Sequence, residues 1–161
     1  MVPTLGITIR PANPDEGAAL AELLHAAFAE QRGRISPESA ALSETPESIG
    51  TRFAEHSIAV AEQAGRLVGC IFFQRRDDVI YFGRLATLPE CRGQGVAGAL
   101  VDHVEAHARH SGAARVTLGV RIALVENQRY FEARGYREVG RETHAGFTAP
   151  TSIRYEKDIR D

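Results

Sequence analysis

The stretch from Val79 to Ala108 joins three signals in direct succession: a strand-like run to Leu88, a glycine turn at Arg92-Gly93-Gln94-Gly95-Val96-Ala97, and an amphipathic segment. Val96, Leu100, Val104 and Ala108 recur every four residues, with Ala97 and Val101 beside them, so one face of a helix is apolar. Gly112 follows as its C-cap. A junction of this kind binds anions. Backbone N–H groups of a first helical turn have no partners within the helix, and the helix dipole adds partial positive charge. Gly93 and Gly95 let a phosphate approach the backbone closely, and Arg92 adds a cation.

Local signals order the rest of the chain. Residues 7–10 alternate as a short strand, and Asn13-Pro14-Asp15-Glu16 supplies an N-cap, a proline and acidic first-turn residues, predicting a helix over 14–30. Residues 31–44 hold glycine, proline and three serines among charges and read as a surface loop, a candidate lid over an acceptor site. Thr45-Pro46-Glu47-Ser48 restarts a helix towards His56. Strand-like runs at 57–63 and 66–74 flank a tight hairpin at Ala64-Gly65, and Asp77-Asp78 turns the chain into 79–88. A strand at 115–120, a helix at 126–134 ended by Gly135, and strands at 136–140 and 153–157 complete the order βααβββαβαββ. That order predicts a single α/β domain over 1–161, with a mixed sheet and helices on both faces.

A length of 161 residues, 43% of them hydrophobic, suits one domain with a real core. Nineteen basic against 21 acidic side chains leave a formal charge of −2, so no global field draws the chain to nucleic acid or to an anionic membrane. The opening Met-Val-Pro-Thr-Leu-Gly lacks a basic region followed by an apolar run, and no stretch approaches the roughly 18 apolar residues of a membrane span. A soluble, cytoplasmic protein is expected. Cys70 lies in an apolar strand pattern and Cys91 in a loop beside Arg92, so no structural disulfide is expected and a reducing compartment fits.

Arg92, Gly95 and Ala97 match the Gln/Arg-x-x-Gly-x-Gly/Ala signature of the GNAT superfamily of acetyl-CoA-dependent N-acyltransferases, which the chain resembles. The pattern is short, but it follows a fourth strand and opens the third long helix. Downstream, Tyr130-Phe131-Glu132-Ala133-Arg134-Gly135-Tyr136 looks like the family's aromatic-Tyr-Glu-x-x-Gly-Phe segment, and the likeness spans residues 7 to about 157. It implies a mostly antiparallel sheet splayed at strands 4 and 5, acetyl-CoA as cosubstrate, no metal, and a small-molecule or peptide amine as acceptor. It also makes a homodimer plausible.

Position by position, the resemblance implies that the backbone of Arg92, Gly93, Gln94, Gly95, Val96 and Ala97 holds the pyrophosphate. Leu85 and Thr87, flanking Ala86, would pair through their main chain with the pantetheine amides, as an added strand does. Asn127 would contact the pantetheine arm, with a helix-start cap as its equal alternative, and Phe131 would border the coenzyme. Acyl transfer to an amine needs a neutral amine, a stabilised oxyanion and a proton for the leaving thiolate. N–H groups of strand 4 near Leu85 to Thr87 could serve the oxyanion. The family's proton-donating Tyr is replaced by Phe131, and Tyr130 is turned about 100° away on the helix. As base, Tyr81, Glu126 and His144 are candidates by type, and orientation alone supplies much of the rate. The acceptor pocket would draw on 31–44 and 143–151.

Two other functions fit parts of the chain. Gly93-x-Gly95-x-x-Gly98 spells a dinucleotide fingerprint, but Pro89 to Arg92 intervene after the strand, and the next strand ends in Val120-Arg121 without a carboxylate. Phe131 also suits a catalytically silent acyl-CoA-binding module. Other features read as structural. His103 and His107 belong to a solvated helix face, Cys91 has no paired His, and Phe72-Phe73 belongs to a core strand. Arg75-Arg76 beside Asp77-Asp78 reads as a self-neutralising turn.

Overall fold

The computed structural model describes residues 6–160; residues 1–5, read above for a leader pattern, lie outside them. In chain order the elements are β1 (Thr8–Pro11), α1 (Gly17–Phe28), α2 (Pro46–Arg52), β2 (Ser57–Gln63), β3 (Arg66–Arg76), β4 (Val79–Thr87), α3 (Val96–His110), β5 (Arg115–Arg121), α4 (Val125–Ala133), β6 (Arg137–Glu142) and β7 (Ser152–Asp158). This is the expected βααβββαβαββ order. The strands form one sheet, β1-β2-β3-β4-β5-β7-β6, in which only β4 and β5 run parallel.

The helix expected over 14–30 is interrupted at both ends. A 3-10 turn at Pro14–Glu16 precedes α1 and another at Ala29–Gln31 follows it, as tightened terminal turns commonly do. Glu16 still reaches back to the N–H of Asn13, at 2.8 Å. Thr45 and Ser48 cap α2 reciprocally, each side-chain oxygen accepting the other's backbone N–H, at 3.1 and 2.8 Å. The loop at 31–44 contains its own 3-10 turn, Ala40–Ser43. Strand β6 begins one residue later than expected because Tyr136 turns into the core, where its hydroxyl donates to Glu105 at 2.8 Å. The Arg-Arg-Asp-Asp turn does not neutralise itself. Arg75 and Arg76 extend β3, Arg75 donates to the carbonyls of Asp77 and Ser111, and Asp78 pairs with Arg115 at 3.6 Å.

Helix α3 lies so close to β3 that a Cβ at Gly69 would stand 2.6 Å from Val96 Cγ1 and 2.9 Å from the Ala86 carbonyl. Phe73 meets His103 and His107 edge-on on the same face, with ring centroids 6.2 and 5.2 Å apart, so these histidines cover an aromatic ring rather than forming a purely solvated face. Helix α4 sits beside α3, joined to it by the Arg134–Asp102 pair. Helix α1 packs on β3 and β4 and against α2, burying Leu20, Leu24 and Ile49. No described helix is long and apolar enough to cross a membrane.

Strands β4 and β5 pair only through Val79↔Arg115, Ile80↔Val116 and Tyr81↔Thr117. Beyond Tyr81, β4 continues along β3 while β5 stays paired with β7 as far as Arg121↔Ser152. A bulge opposite β3 interrupts β4, where Arg84 takes a left-handed φ of 51°. The expected splay is therefore present, and it begins at Tyr81.

Candidate active site

The splay opens a cleft of about 1120 Å³ between the β4 edge, the ends of β5 and β7, and the first turn of α4. A smaller pocket of about 180 Å³ adjoins it at the start of α3, lined by Gly93, Gly95, Val96, Ala97 and Gly98. Gly95 caps the helix with a φ of 84°, Gly93 has a φ of 77°, and nothing crowds either residue. It is the left-handed backbone, not space, that requires glycine here. No side chain caps α3, so its first N–H groups remain available to an anion.

Leu88 donates its N–H to Val68 of β3 at 2.9 Å. Strand N–H groups alternate in direction, so Thr87 and Leu85 point theirs at the open edge, with Ala86 facing β3 between them. Thr87 borders both pockets, and its hydroxyl is buried without a hydrogen-bond partner, a rare condition for a buried polar atom. Edge amides, an unpartnered hydroxyl and an uncapped helix start thus follow one another along the cleft. They fit a long ligand with amide groups and a phosphate end.

Arg92 borders both pockets, but its side chain is already engaged. Its guanidinium pairs with Glu30 and donates to the Ala27 carbonyl at 3.0 Å, because the end of α1 presents an acid and free carbonyls beside the turn. The charge expected to meet a phosphate is thus matched internally, and Arg92 clamps α1 to the glycine turn. Gln94 is exposed and borders neither pocket, whereas Glu126 and Asn127 line the wide cleft from the first turn of α4. Phe131 is only 5% exposed, packed against Phe82, Tyr136 and Tyr130 at centroid distances of 5.9, 5.6 and 5.0 Å. Tyr130 borders both pockets, and its hydroxyl lies 3.5 Å from where a Cβ on Gly98 would stand, against the first turns of α3.

Tyr81 and His144 also line the cleft. Arg76 sits over the Tyr81 ring, 5.3 Å from its centroid, and His144 Nδ1 is bonded to the Thr151 hydroxyl. Among the described residues no three His, Cys, Asp or Glu side chains are grouped to hold a metal ion.

Several cleft residues carry no local sequence signature. His56 is half-buried, its Nδ1 is buried without a partner, and burial followed by the Arg52 charge holds its pKa below the usual histidine value. Glu44, 3% exposed, lies behind the cleft wall. It accepts Ser48 Oγ at 2.5 Å and Arg84 Nε at 3.0 Å, and pairs with Arg52 Nε at 2.5 Å. Burial pushes the Glu44 carboxyl up, but these hydrogen bonds and the two guanidinium charges outweigh it and hold the pKa below the ordinary value. A lone arginine, Arg84, inside the apolar run of β4 was the one available clue to this network.

The sequence profile of the Acetyltransferase (GNAT) family matches residues 18–136, from the first turn of α1 to Tyr136. The chain belongs to that family. An uncharacterized N-acetyltransferase of Mycobacterium bovis is 34% identical to this GNAT domain over 116 residues, covering 68% of this chain and 74% of that protein. PaiA N-acetyltransferase from Thermoplasma acidophilum, solved in complex with coenzyme A, superposes with a TM-score of 0.80 at 16% identity, over 96% of this chain and 99% of that one. The ribosomal-protein-S18-alanine N-acetyltransferase from Escherichia coli gives 0.77 at 16% identity, over 95% and 94%. The GNAT fold read from the sequence is thus present in full, and the protein is an acyltransferase.

Proposed function

We propose that this GNAT acetyltransferase uses acetyl-CoA to acetylate a primary amine of a small molecule or peptide. One observation carries the reading: the β4 edge at Leu85 and Thr87 opens directly beside the uncapped start of α3, with the unpartnered Thr87 hydroxyl between them. Acetyl-CoA supplies an acyl group on a thiolate leaving group whose parent pKa is near 8.5.

The N–H groups at the start of α3 receive the pyrophosphate, and the β4 edge adds the pantetheine arm as a strand. An edge N–H near Leu85 or Thr87 donates to the thioester oxygen as negative charge gathers on it. Tyr130, Phe131 and Asn127 wall the coenzyme side of the cleft. The acceptor nitrogen bonds to the acyl carbon, the C–S bond breaks, the electron pair leaves on sulfur, and the amine's proton passes to His56. His56 is favoured over His144 because burial and the Arg52 charge keep its ring unprotonated, whereas the Nδ1 of His144 is bonded to Thr151. Phe131, at the cleft wall with no hydroxyl to donate, supports release of the thiolate without a dedicated side-chain acid.

Thermal melting with CoA and with NAD tests the binding half, since a ligand bound only by the folded state raises its stability. CoA should raise the Tm and NAD should not; the opposite result refutes the reading. Thiol release from acetyl-CoA across a panel of primary amines tests the chemistry, and stabilisation by CoA without release on any amine would leave a silent binding module instead.

A further inference from the structure

Outside the glycine turn, five arginines line the wide cleft: Arg52, Arg76, Arg84, Arg121 and Arg154. Arg52 and Arg84 converge on Glu44, and Arg154 pairs with Glu142 at 2.9 Å. Arg76 is exposed and rests on Tyr81. Arg121 differs from all four. It is half-buried at the end of β5, and no carboxylate among the described residues stands within ion-pair distance of it. Its Nη1 donates to the Pro37 carbonyl at 2.7 Å and its Nη2 reaches the Glu38 carbonyl at 3.4 Å, both on the 31–44 loop.

Carbonyl oxygens satisfy donors without cancelling charge. A guanidinium drawn out of water with no counter-ion is costly, and here burial alone lowers its pKa. The guanidinium fork matches the geometry of a carboxylate or phosphate, and two carbonyls leave some of its five donors free. The same cleft is lined by Glu55 and Glu126, neither of which has a cation within ion-pair distance among the described residues. It therefore presents uncompensated charge of both signs.

Arg121 does not border the small pocket at the start of α3, so it is separate from the phosphate-binding turn. We propose that the acceptor is an amine that also carries an acidic oxygen group, a carboxylate or a phosphate, and that Arg121 receives that group at the mouth formed with the 31–44 loop. This inference rests on the reading of the cleft as an acetyl-acceptor site.

Matched acceptors test it through thiol release from acetyl-CoA: an amino acid against its amide, and an aminoalkyl phosphate against the amino alcohol. The parent protein should prefer the anionic member of at least one pair by about 10- to 100-fold in kcat/KM, the span of one charged hydrogen bond, and the preferred pair tells carboxylate from phosphate. Arg121→Gln should remove that preference, leave the neutral member within about twofold, and leave the Tm shift by CoA unchanged. Equal loss on both members would reduce Arg121 to a strap for the loop, and a lost CoA response would assign it to the coenzyme; either overturns the proposal. Should Arg121→Gln fail to fold, Arg121→Lys, which keeps the charge without the fork, replaces it, and absence of any anionic preference in the parent overturns the proposal alone. Failure of the underlying reading looks different: no CoA stabilisation and no thiol release with any acceptor.

Discussion

Gly69 lies where α3 crosses β3, and alanine at this position measures how tightly helix placement and ligand binding are coupled. The added methyl would meet Val96 Cγ1 at 2.6 Å, the Ala86 carbonyl at 2.9 Å and Leu100 Cδ1 at 3.1 Å. Val96 and Leu100 are themselves buried and the Ala86 oxygen is strand backbone, so none of the three can swing away. Relief requires α3 or β4 to move by several tenths of an ångström. Overpacking of this kind costs about 1–3 kcal/mol, which for a domain this size lowers the Tm by about 3–10 °C. The displaced residue Val96 opens α3, so the N–H groups beside it should move with it and CoA binding should weaken about tenfold, less than the cost of a full 1 Å misplacement. Gly95→Ala is the counterpart: nothing lies within 4 Å of its Cβ, and only the left-handed backbone is strained. Melts with and without CoA should show Gly69→Ala losing stability first and affinity with it, and Gly95→Ala losing CoA binding out of proportion to stability. A Gly69→Ala protein that melts within about 1 °C of the parent and binds CoA normally would refute the claim that this contact sets the position of α3.

Glu44→Gln should destabilise by about 2–3 kcal/mol in urea titrations, below the value for a fully buried pair because Arg52 and Arg84 retain some exposure; a loss under about 0.5 kcal/mol would mean the pairs contribute little. Because the folded pKa of Glu44 lies below its ordinary 4.5, the stability it contributes is present above pH 4.5 and is lost as pH falls through the folded value, so parent and variant should converge in acid. At the alkaline end, burial and then the hydrogen bond to Glu132 push Tyr155 up to about 12 from 10.0, and its contribution should fade as pH rises from 10 through 12. Tyr155→Phe, which cannot ionise, should flatten that limb in melts taken across this range. For His56, lowered by burial, the acid limb of kcat/KM should fall below pH 6.5; His56→Gln should abolish the limb and lower the rate about 100-fold, and an unchanged profile would remove His56 from the chemistry.

Local periodicity explains why the element order could be read from the chain. Val96, Leu100, Val104 and Ala108 mark a helix face within their own segment, and Thr45 with Ser48 caps a helix with residues three apart. Glycine positions at 93 and 95 likewise declare a left-handed turn before any tertiary contact exists. What escaped were pairings across long loops. Arg92 meets Glu30 across 62 positions, Arg84 meets Glu44 across 40, and Arg121 meets Pro37 across 84. Each partner lies in or beside a stretch that reads as solvated loop, and only the folded sheet brings them together. For a related reason, helical spacing places His103 and His107 on the solvent side of α3, where His107 is exposed, but does not reveal that Phe73 lies beneath them.

The short parallel seam between β4 and β5 gives the sheet unusual mechanics. Strands β1 to β4 form one plate and β5, β7 and β6 another; the two pair as strands only from Val79 to Tyr81 with Arg115 to Thr117, extended at one end by the Ala114 and Arg115 N–H groups donating to the Asp78 carbonyl. Rotation about so short a hinge grows with distance from it, so the plates can scissor most at Thr87 and Arg121, where the cleft is open. A molecule laid along the free edge of β4 spans that gap and damps the motion. Occupancy should therefore be readable as rigidity, in slowed amide exchange of the β4 edge, before any chemistry occurs.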